Sequence, residues 1–268
     1  MMRKQLAVVA LATIVTLGLA ASSQASLLFS DGFNYPVGGL SGQGPWSVGG
    51  NSAALAVISG NLTYPGLLDL GSGEVQITEG TASSTVATYA NQTAGQVWYS
   101  FLFDPTGANT GNGYVTAMNG GGGAPNGGTD AIDFYYYASG IPEIRANPKS
   151  ATAGSATALS LNTTNMIVEE IDMTAHTASM WVNPSSLTFG AGSAPTATAS
   201  LTGATGATSI NDVGFKALTT AGGPFIVDNV LVGQSWADVT PTIPEPSTCL
   251  LVGSGLALML GLIRRRRS

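Results

Sequence analysis

The body of this chain is predicted to be an all-β protein in which two antiparallel sheets pack face to face. Short β-branched and aromatic runs recur between Gly, Asn, Pro and Asp breaks from residue 27 to residue 232. No stretch of the body repeats apolar residues every 3.6 positions over ten residues. Since a parallel sheet needs crossover helices, a two-sheet antiparallel sandwich is the architecture that these patterns favour.

Eleven runs have strand character, and alternation within them assigns side chains to the two faces. Odd-numbered side chains of Val97–Phe103 share one face, and Trp98 lies on the other. In the last run, strict alternation places Asn229 and Leu231 on the face of Val227. The predicted strands are Leu27–Phe33, Ala54–Ser59, Glu74–Thr78, Thr85–Tyr89, Val97–Phe103, Tyr114–Met118, Ile132–Tyr137, Met166–Asp172, Thr177–Val182, Val213–Ala217 and Phe225–Val232.

The segments between the strands predict turns and surface loops. Residues 172–176 read as the turn of a hairpin that joins two of the runs. Residues 119–129 are nearly all Gly and Asn, and residues 185–209 are rich in Ala, Thr, Gly and Ser. Both are expected to be surface loops, the second with room for one weak strand. By length, residues 26–240 form one domain.

Charge in this body is strongly one-sided. It carries fourteen acidic side chains and only three basic ones, Arg145, Lys149 and Lys216, an excess of 11 negative charges. Such a surface repels nucleic acid and anionic lipid, so no nucleic acid partner is expected. The body has no cysteine, which excludes disulfides and cysteine-ligated metals within it.

Residues 1–25 have the layout of a secretory signal peptide. Arg3 and Lys4 precede an apolar stretch, and Ser23-Gln24-Ala25 places small residues at the positions that signal peptidase reads. We therefore expect cleavage between Ala25 and Ser26. A retained anchor helix is the alternative, and the small residues at positions 20–23 argue against it.

Residues 241–268 contain a rigid signal, an apolar helix and a basic cluster. The helix, Cys249–Ile263, has 15 residues and no charge; at about 1.5 Å per residue it spans about 22 Å, short of the bilayer core of about 30 Å. That length alone also permits a buried core helix, but a terminal arginine cluster favours a membrane anchor with its C-terminus in the cytoplasm. The signal is Pro244, Glu245 and Pro246, and the membrane stop is Arg264, Arg265, Arg266 and Arg267.

This tail resembles the bacterial PEP-CTERM sorting signal in all three of its parts and in their order. The resemblance implies that a membrane-embedded exosortase recognises the tail and removes or exchanges it. It also implies export through the inner membrane to the cell envelope or extracellular matrix, with a single-pass anchor that is at least transient.

The body resembles extracellular LamG/concanavalin-like jelly rolls that precede such tails. The resemblance lies in Asp31–Gly38, Trp181–Pro184, Val227–Gly233 and Trp236–Pro241. It implies a jelly-roll sandwich and contact with carbohydrate or matrix.

Glucanases of the concanavalin-like fold carry three alternating acids on their active strand. Here Glu170-Ile171-Asp172 supplies only two, with no third acid at either family spacing. The sole histidine, His176, lies in the predicted turn, where a base for a serine triad is not expected. Gly120–Gly123 lacks the Lys-Ser/Thr of a phosphate-binding loop and reads as a loop.

Two kinds of ligand site stay open. Oxygen-rich pairs could hold calcium: Asp130 with Asp133, Asn211 with Asp212, and Asp228 with Asn229. No cofactor is expected other than such a calcium ion, for which Asp130, Asp133 and Asp228 are the candidate ligands. A sugar platform needs exposed aromatic rings, and the candidates Trp46, Trp98, Tyr135, Tyr137 and Trp181 serve equally well as core residues.

The sequence thus predicts an exported surface or matrix protein, not an enzyme, with a polysaccharide-binding or adhesion role. The alternative is a glycan-active hydrolase with a non-standard acid set. Convergent carboxyls about 5–9.5 Å apart in a groove favour the hydrolase, and scattered acids favour the structural role.

Overall fold

The two-sheet, all-β prediction is confirmed by the computed structural model, which describes residues 27–48, 54–78, 80, 83–107, 113–120, 130–146, 151–203, 207–217 and 224–243. The strands are β1 Phe29–Asp31, β2 Gly38–Gly39, β3 Trp46–Val48, β4 Leu55–Ser59, β5 Gly73–Ile77, β6 Ser83–Gln92, β7 Gln96–Pro105, β8 Gly113–Asn119, β9 Ile132–Tyr136, β10 Pro142–Ala146, β11 Ala151–Gly154, β12 Asn165–Asp172, β13 Thr177–Val182, β14 Ala199–Thr202, β15 Ile210–Ala217 and β16 Phe225–Gly233. A one-turn helix, α1 Trp236–Val239, follows β16.

All strand pairs are antiparallel, and they form two sheets. The first sheet has the order β14-β13-β12-β7-β16-β5-β4-β2, with β1 paired to β16. The second has the order β11-β10-β9-β8-β15-β6-β3. Each of the eleven predicted runs overlaps one strand, and β12 joins β13 through the predicted turn. The prediction missed β2, β3, β10 and β11, which have only two to five residues each, whereas β14 lies in residues 185–209, where one weak strand was expected.

The main core lies between the sheets and is aromatic. Near the N-terminus, the ring of Trp46 stacks on Phe215 with a centroid distance of 5.0 Å. Asp31 ties this region together: its Oδ1 accepts from the Phe33 amide at 2.8 Å, and its Oδ2 accepts from Tyr35 Oη and Trp46 Nε1, both at 2.7 Å. These contacts account for the acidic start of the Asp31–Gly38 motif.

A bulge in β16 reverses the alternation that the sequence predicted. The pairing register of β16 with β7 shifts between Asp228 and Leu231, where Asn229 adopts a left-handed conformation with φ 56°. Val230 and Val232 consequently join the core, and Leu231 faces outward. The predicted face for Leu231 is therefore wrong, because strict alternation ignores the extra residue.

A second apolar layer covers the outer face of the first sheet. Trp98, Trp181 and Trp236 meet there, with ring centroids 5.1 to 5.9 Å apart. Trp236 begins helix α1, whose first turn is capped by the Ser235 hydroxyl accepting from the Asp238 amide at 3.3 Å. One helical turn is too short to leave a periodic signal in the sequence. The residues that connect β4 to β5 complete this layer.

None of the helices in the described parts of the chain has the length and apolar character needed to cross a membrane. The predicted signal peptide with its cleavage site, the helix Cys249–Ile263, the Pro-Glu-Pro signal and the arginine cluster all lie outside the described residues.

Candidate functional site

A cavity of about 350 Å³ opens in the connection between β4 and β5, on the outer side of the first sheet. We call it the loop pocket. Its volume falls in the range of small-molecule sites. It is lined by Leu62, Thr63, Tyr64, Pro65, Gly66, Leu67, Asp69, Asn229 and Ile243.

Polar side chains of the β16 bulge hold the loop in place. The Leu62 amide donates to Asp228 Oδ2 at 2.9 Å. The Asn229 side chain accepts from the Leu70 amide through Oδ1 and donates to the Leu68 carbonyl through Nδ2, each at 2.9 Å. Because Asp228 and Asn229 are buried, these bonds fix the pocket before any ligand arrives.

The pocket presents one aromatic ring beside two polar side chains. Tyr64 is half-buried, packs on Phe189 with centroids 6.0 Å apart, and donates its hydroxyl to the Pro184 carbonyl at 3.2 Å. Burial raises the pKa of Tyr64. Asp69 and Thr63 are exposed, and Asn61 Nδ2 donates to Asp69 Oδ2 at 2.6 Å. A fixed ring with neighbouring oxygens is a surface on which a sugar can stack and hydrogen-bond.

Chain beyond β16 returns to the rim of this pocket. The Leu68 amide donates to the Pro241 carbonyl at 2.8 Å, and Leu67 forms an antiparallel bridge with Thr242. Ile243, 54% exposed, then lines the pocket directly before Pro244 in the sequence.

Carboxyl groups gather beneath the loop. Glu74 on β5 and Asp228 on β16 share the outer face of the first sheet, and the Glu74 carboxylate lies against Gly60, whose added Cβ would come within 2.2 Å of Oε1. Burial, with smaller contributions from Glu74 and Asp69, raises the pKa of Asp228 to about 7. Burial and then Asp104 raise the pKa of Glu74. These groups therefore hold protons more tightly than exposed carboxylates do.

A different polar group lies on the outer face of the second sheet. We call Tyr135, Tyr137, Glu143 and Arg145 the Tyr–Arg cluster. The guanidinium carbon of Arg145 lies 3.5 Å from the Tyr135 ring centroid, and its Nε donates to Glu143 Oε1 at 2.9 Å. Two tyrosines named as sugar-platform candidates are thus brought together, but Arg145 covers the face of one of them.

The other aromatic candidates are core residues. Trp46 lies between the sheets, and Trp98 and Trp181 lie in the outer apolar layer, each 5% exposed or less. None of these three offers a ring face to a ligand.

The predicted hydrolase pair has a structural use. Glu170 and Asp172 share the outer face of β12, as alternation requires. Asp172 Oδ1 accepts from the amides of Thr174 and Ala175, both at 2.8 Å, so it caps the hairpin turn. Burial, and next the charge of Asp172, raise the pKa of Glu170 to about 7. His176 is exposed in this turn with φ 56°, where the sequence placed it.

The calcium candidates do not converge. Asp133 lies on β9 in the second sheet, and Asp228 lies on the far side of the first sheet. Asp130 is buried just before β9. Within the described ranges, no three His, Cys, Asp or Glu side chains are arranged to hold a metal ion.

Sequence reasoning missed the loop pocket because residues 60–70 contain no strand signal and no charge cluster. The adjacent Tyr64 and Pro65 followed by Gly66 were a readable sign of an ordered turn that presents an aromatic ring. Arg145 was counted only as a charge, because β10 was not among the predicted strands.

No known family model and no curated protein matches the chain. Solved structures with a similar fold include the binding domain of botulinum neurotoxin serotype G, at 12% identity and TM-score 0.44 over 80% of this chain and 49% of that one. The chain thus spans about half of that toxin domain's length. A glycosyl hydrolase family protein from Mycobacterium fortuitum matches at 16% identity and TM-score 0.46, over 77% of this chain and 99% of that one. A Trypanosoma rangeli sialidase matches at 12% identity and TM-score 0.43, over 76% of this chain and 31% of that one.

These similarities contradict the prediction that the chain is not an enzyme. Glycosyl hydrolases and a sialidase are among the similar structures, beside a binding domain. The prediction of a non-enzymatic protein is therefore wrong as stated, and activity has to be considered from this chain's own carboxyl groups.

Proposed function

We propose that this protein is an exported glycan-recognising protein of the cell envelope, with a LamG/concanavalin-like jelly-roll body that binds sugar in the loop pocket. The single observation that carries the proposal is the pocket itself: a preformed cavity of about 350 Å³ with the fixed ring of Tyr64 beside the exposed Asp69 and Thr63. Its size suits one or two sugar units.

Substitution within the loop pocket should abolish glycan binding without unfolding the protein. Asp69→Asn removes a strong acceptor for sugar hydroxyls, and Tyr64→Leu removes the stacking ring, so each variant should bind at least about tenfold more weakly. A glycan array followed by titration calorimetry on the best oligosaccharide would measure this. Thr88→Ala, an exposed change on the second sheet, is the control and should bind like the wild type. Unchanged affinity of both pocket variants would contradict the proposal.

Glycan hydrolysis is the second candidate, and the gathered carboxyls favour it. A group with a pKa near 7, as Asp228 has, can hold a proton for a leaving group, and Glu74 neighbours it. Their position beneath the loop means that a sugar would have to displace the loop to reach them. Release of reducing ends from the bound oligosaccharide, lost in Glu74→Gln, would establish this activity. Binding without any release by the wild type would exclude it for that glycan.

The proposed export and envelope sorting of the protein rest on the sequences of its two chain ends. We expect the mature N-terminus at Ser26, and an exosortase should act at Pro244-Glu245-Pro246 while Arg264–Arg267 hold the C-terminus inside the cell. Glu245→Ala should then accumulate as an uncleaved, membrane-bound precursor. Mass spectrometry of surface or secreted protein would measure both ends. Recovery of intact peptide through Ser268 would contradict processing and leave a plain anchor.

A further inference from the structure

The Tyr–Arg cluster has no role in the loop pocket, because it lies on the outer face of the other sheet. Arg145 is on β10, next to β9 and β11. It is one of three basic residues in a body with fourteen acidic ones. An arginine that its neighbours hold in place on so acidic a body calls for a functional explanation.

Three neighbours fix the plane of the Arg145 guanidinium. It stacks on the Tyr135 ring, its Nε donates to Glu143 Oε1 at 2.9 Å, and one terminal nitrogen donates to the Tyr137 hydroxyl. That hydroxyl in turn donates to Glu143 Oε1 at 2.8 Å. A ligand therefore meets a preorganised fork and not a mobile side chain.

The fork is only partly used. A guanidinium has about five N–H donors, and the two bonds above leave the rest without partners among the residues that the structure describes. The side chain is 19% exposed, so part of it contacts solvent. Glu143 neutralises the charge but occupies only the Nε side.

We propose that the Tyr–Arg cluster is a second binding site, which takes a carboxylate of an acidic sugar on the open edge of Arg145. Two parallel N–H donors match the two oxygens of a carboxylate. Tyr137 is partly exposed beside the fork and offers a ring edge to the sugar. The inference that a sugar carries this carboxylate rests on the proposed glycan function. The inference that Arg145 binds a carboxylate rests on the geometry of its guanidinium alone.

The negative charge of the body limits how densely carboxylates can occur along this ligand. An excess of 11 negative charges repels a polymer with an acid on every unit. A glycan with isolated uronic acid units avoids most of this repulsion and still supplies one carboxylate to Arg145. The proposed ligand is therefore sparsely acidic.

The experiment uses an oligosaccharide with one glucuronate per four sugar units and the same oligosaccharide with its carboxyl reduced to an alcohol. The wild-type protein should bind the acidic form at least about tenfold more tightly. Arg145→Gln should remove that preference, and Arg145→Lys should keep only part of it, because it retains the charge without the fork. Lys216→Gln removes a charge elsewhere on the same sheet and should leave the preference intact.

Two further measurements keep the result decisive. Tyr135→Leu should weaken the preference for the acidic oligosaccharide, although Arg145 and Lys216 are both still present. Thermal melting would show that each variant is folded. Retention of the full preference in folded Arg145→Gln would overturn the proposal, as would equal binding of an aspartate-containing peptide at Arg145. If Asp69→Asn abolished all binding while carboxyl reduction had no effect, this inference would fail and the loop-pocket function would stand.

Discussion

Glu169→Gln should stabilise the protein above pH 8 by about 2–5 kcal/mol and leave its stability nearly unchanged at pH 5. Glu169 points into the core between the sheets, opposite Tyr99, and is 0% exposed. Among the residues that the structure describes, neither of its carboxyl oxygens has a hydrogen-bond partner. Burial raises the pKa of Glu169 to about 8. The group is therefore neutral in the folded protein at pH 5–7 and must ionise without a partner at higher pH.

The sign of this effect follows from proton linkage. The folded pKa lies above the unfolded one, so the stabilising contribution of protonated Glu169 is fully present below about pH 4.5 and is lost as pH rises through about 8. Gln has nearly the same shape and cannot ionise. Urea unfolding of wild type and variant at pH 5, 7 and 9 gives the difference, and Thr88→Ala, at an exposed site that cannot ionise, is the control. A difference that does not change with pH would contradict the account.

Asp228→Ala should cost about 3 kcal/mol and destroy the loop pocket. The side chain is 1% exposed and accepts from the amides of Leu62 and Asn229, at 2.9 and 2.6 Å. Removing it leaves two buried donors unpaired, at about 1–3 kcal/mol each, partly recovered as the loop opens to water. Hydrogen exchange at Leu62 should accelerate strongly.

The Asp228→Asn variant removes the carboxylate charge and keeps part of the hydrogen bonding, so it separates the two contributions to stability. Asn retains one carbonyl oxygen that can accept from Leu62, so the loss should be smaller than for Ala, by about 1 kcal/mol or more. Glycan affinity should fall with the stability of the loop in the order wild type, Asn, Ala. Slow exchange at Leu62 and full glycan binding in the Ala variant would show that Asp228 does not hold the pocket.

Much of the fold was readable from the sequence because its signals are local. The alternation of Val97, Tyr99, Phe101 and Phe103 placed all four side chains in the core, where the structure has them. The turn at His176 was equally local. Short strands such as β2 and β3 were not readable, since two or three residues carry too little alternation and their partners, β4 and β6, lie later in the chain.

The candidate sites were harder to predict, because they are assembled from distant segments. The loop pocket joins residues 62–69 to Asn229 and Ile243, more than 150 positions away. Asp228 was named as a calcium ligand for its oxygen atoms, yet those oxygens hold backbone amides. The bulge at Asn229 made this possible, and a single unpaired residue in a strand leaves no pattern to read.

The central claim, that a glycan occupies the loop pocket, is tested most directly by mapping amide NMR shifts on the purified protein as the best oligosaccharide from the array is added. We expect shifts that saturate together at Thr63, Tyr64, Gly66, Asp69 and Asn229. Asp69→Asn should lose them at the same glycan concentration. Saturating shifts on other surfaces, with none among the pocket residues, would contradict the account.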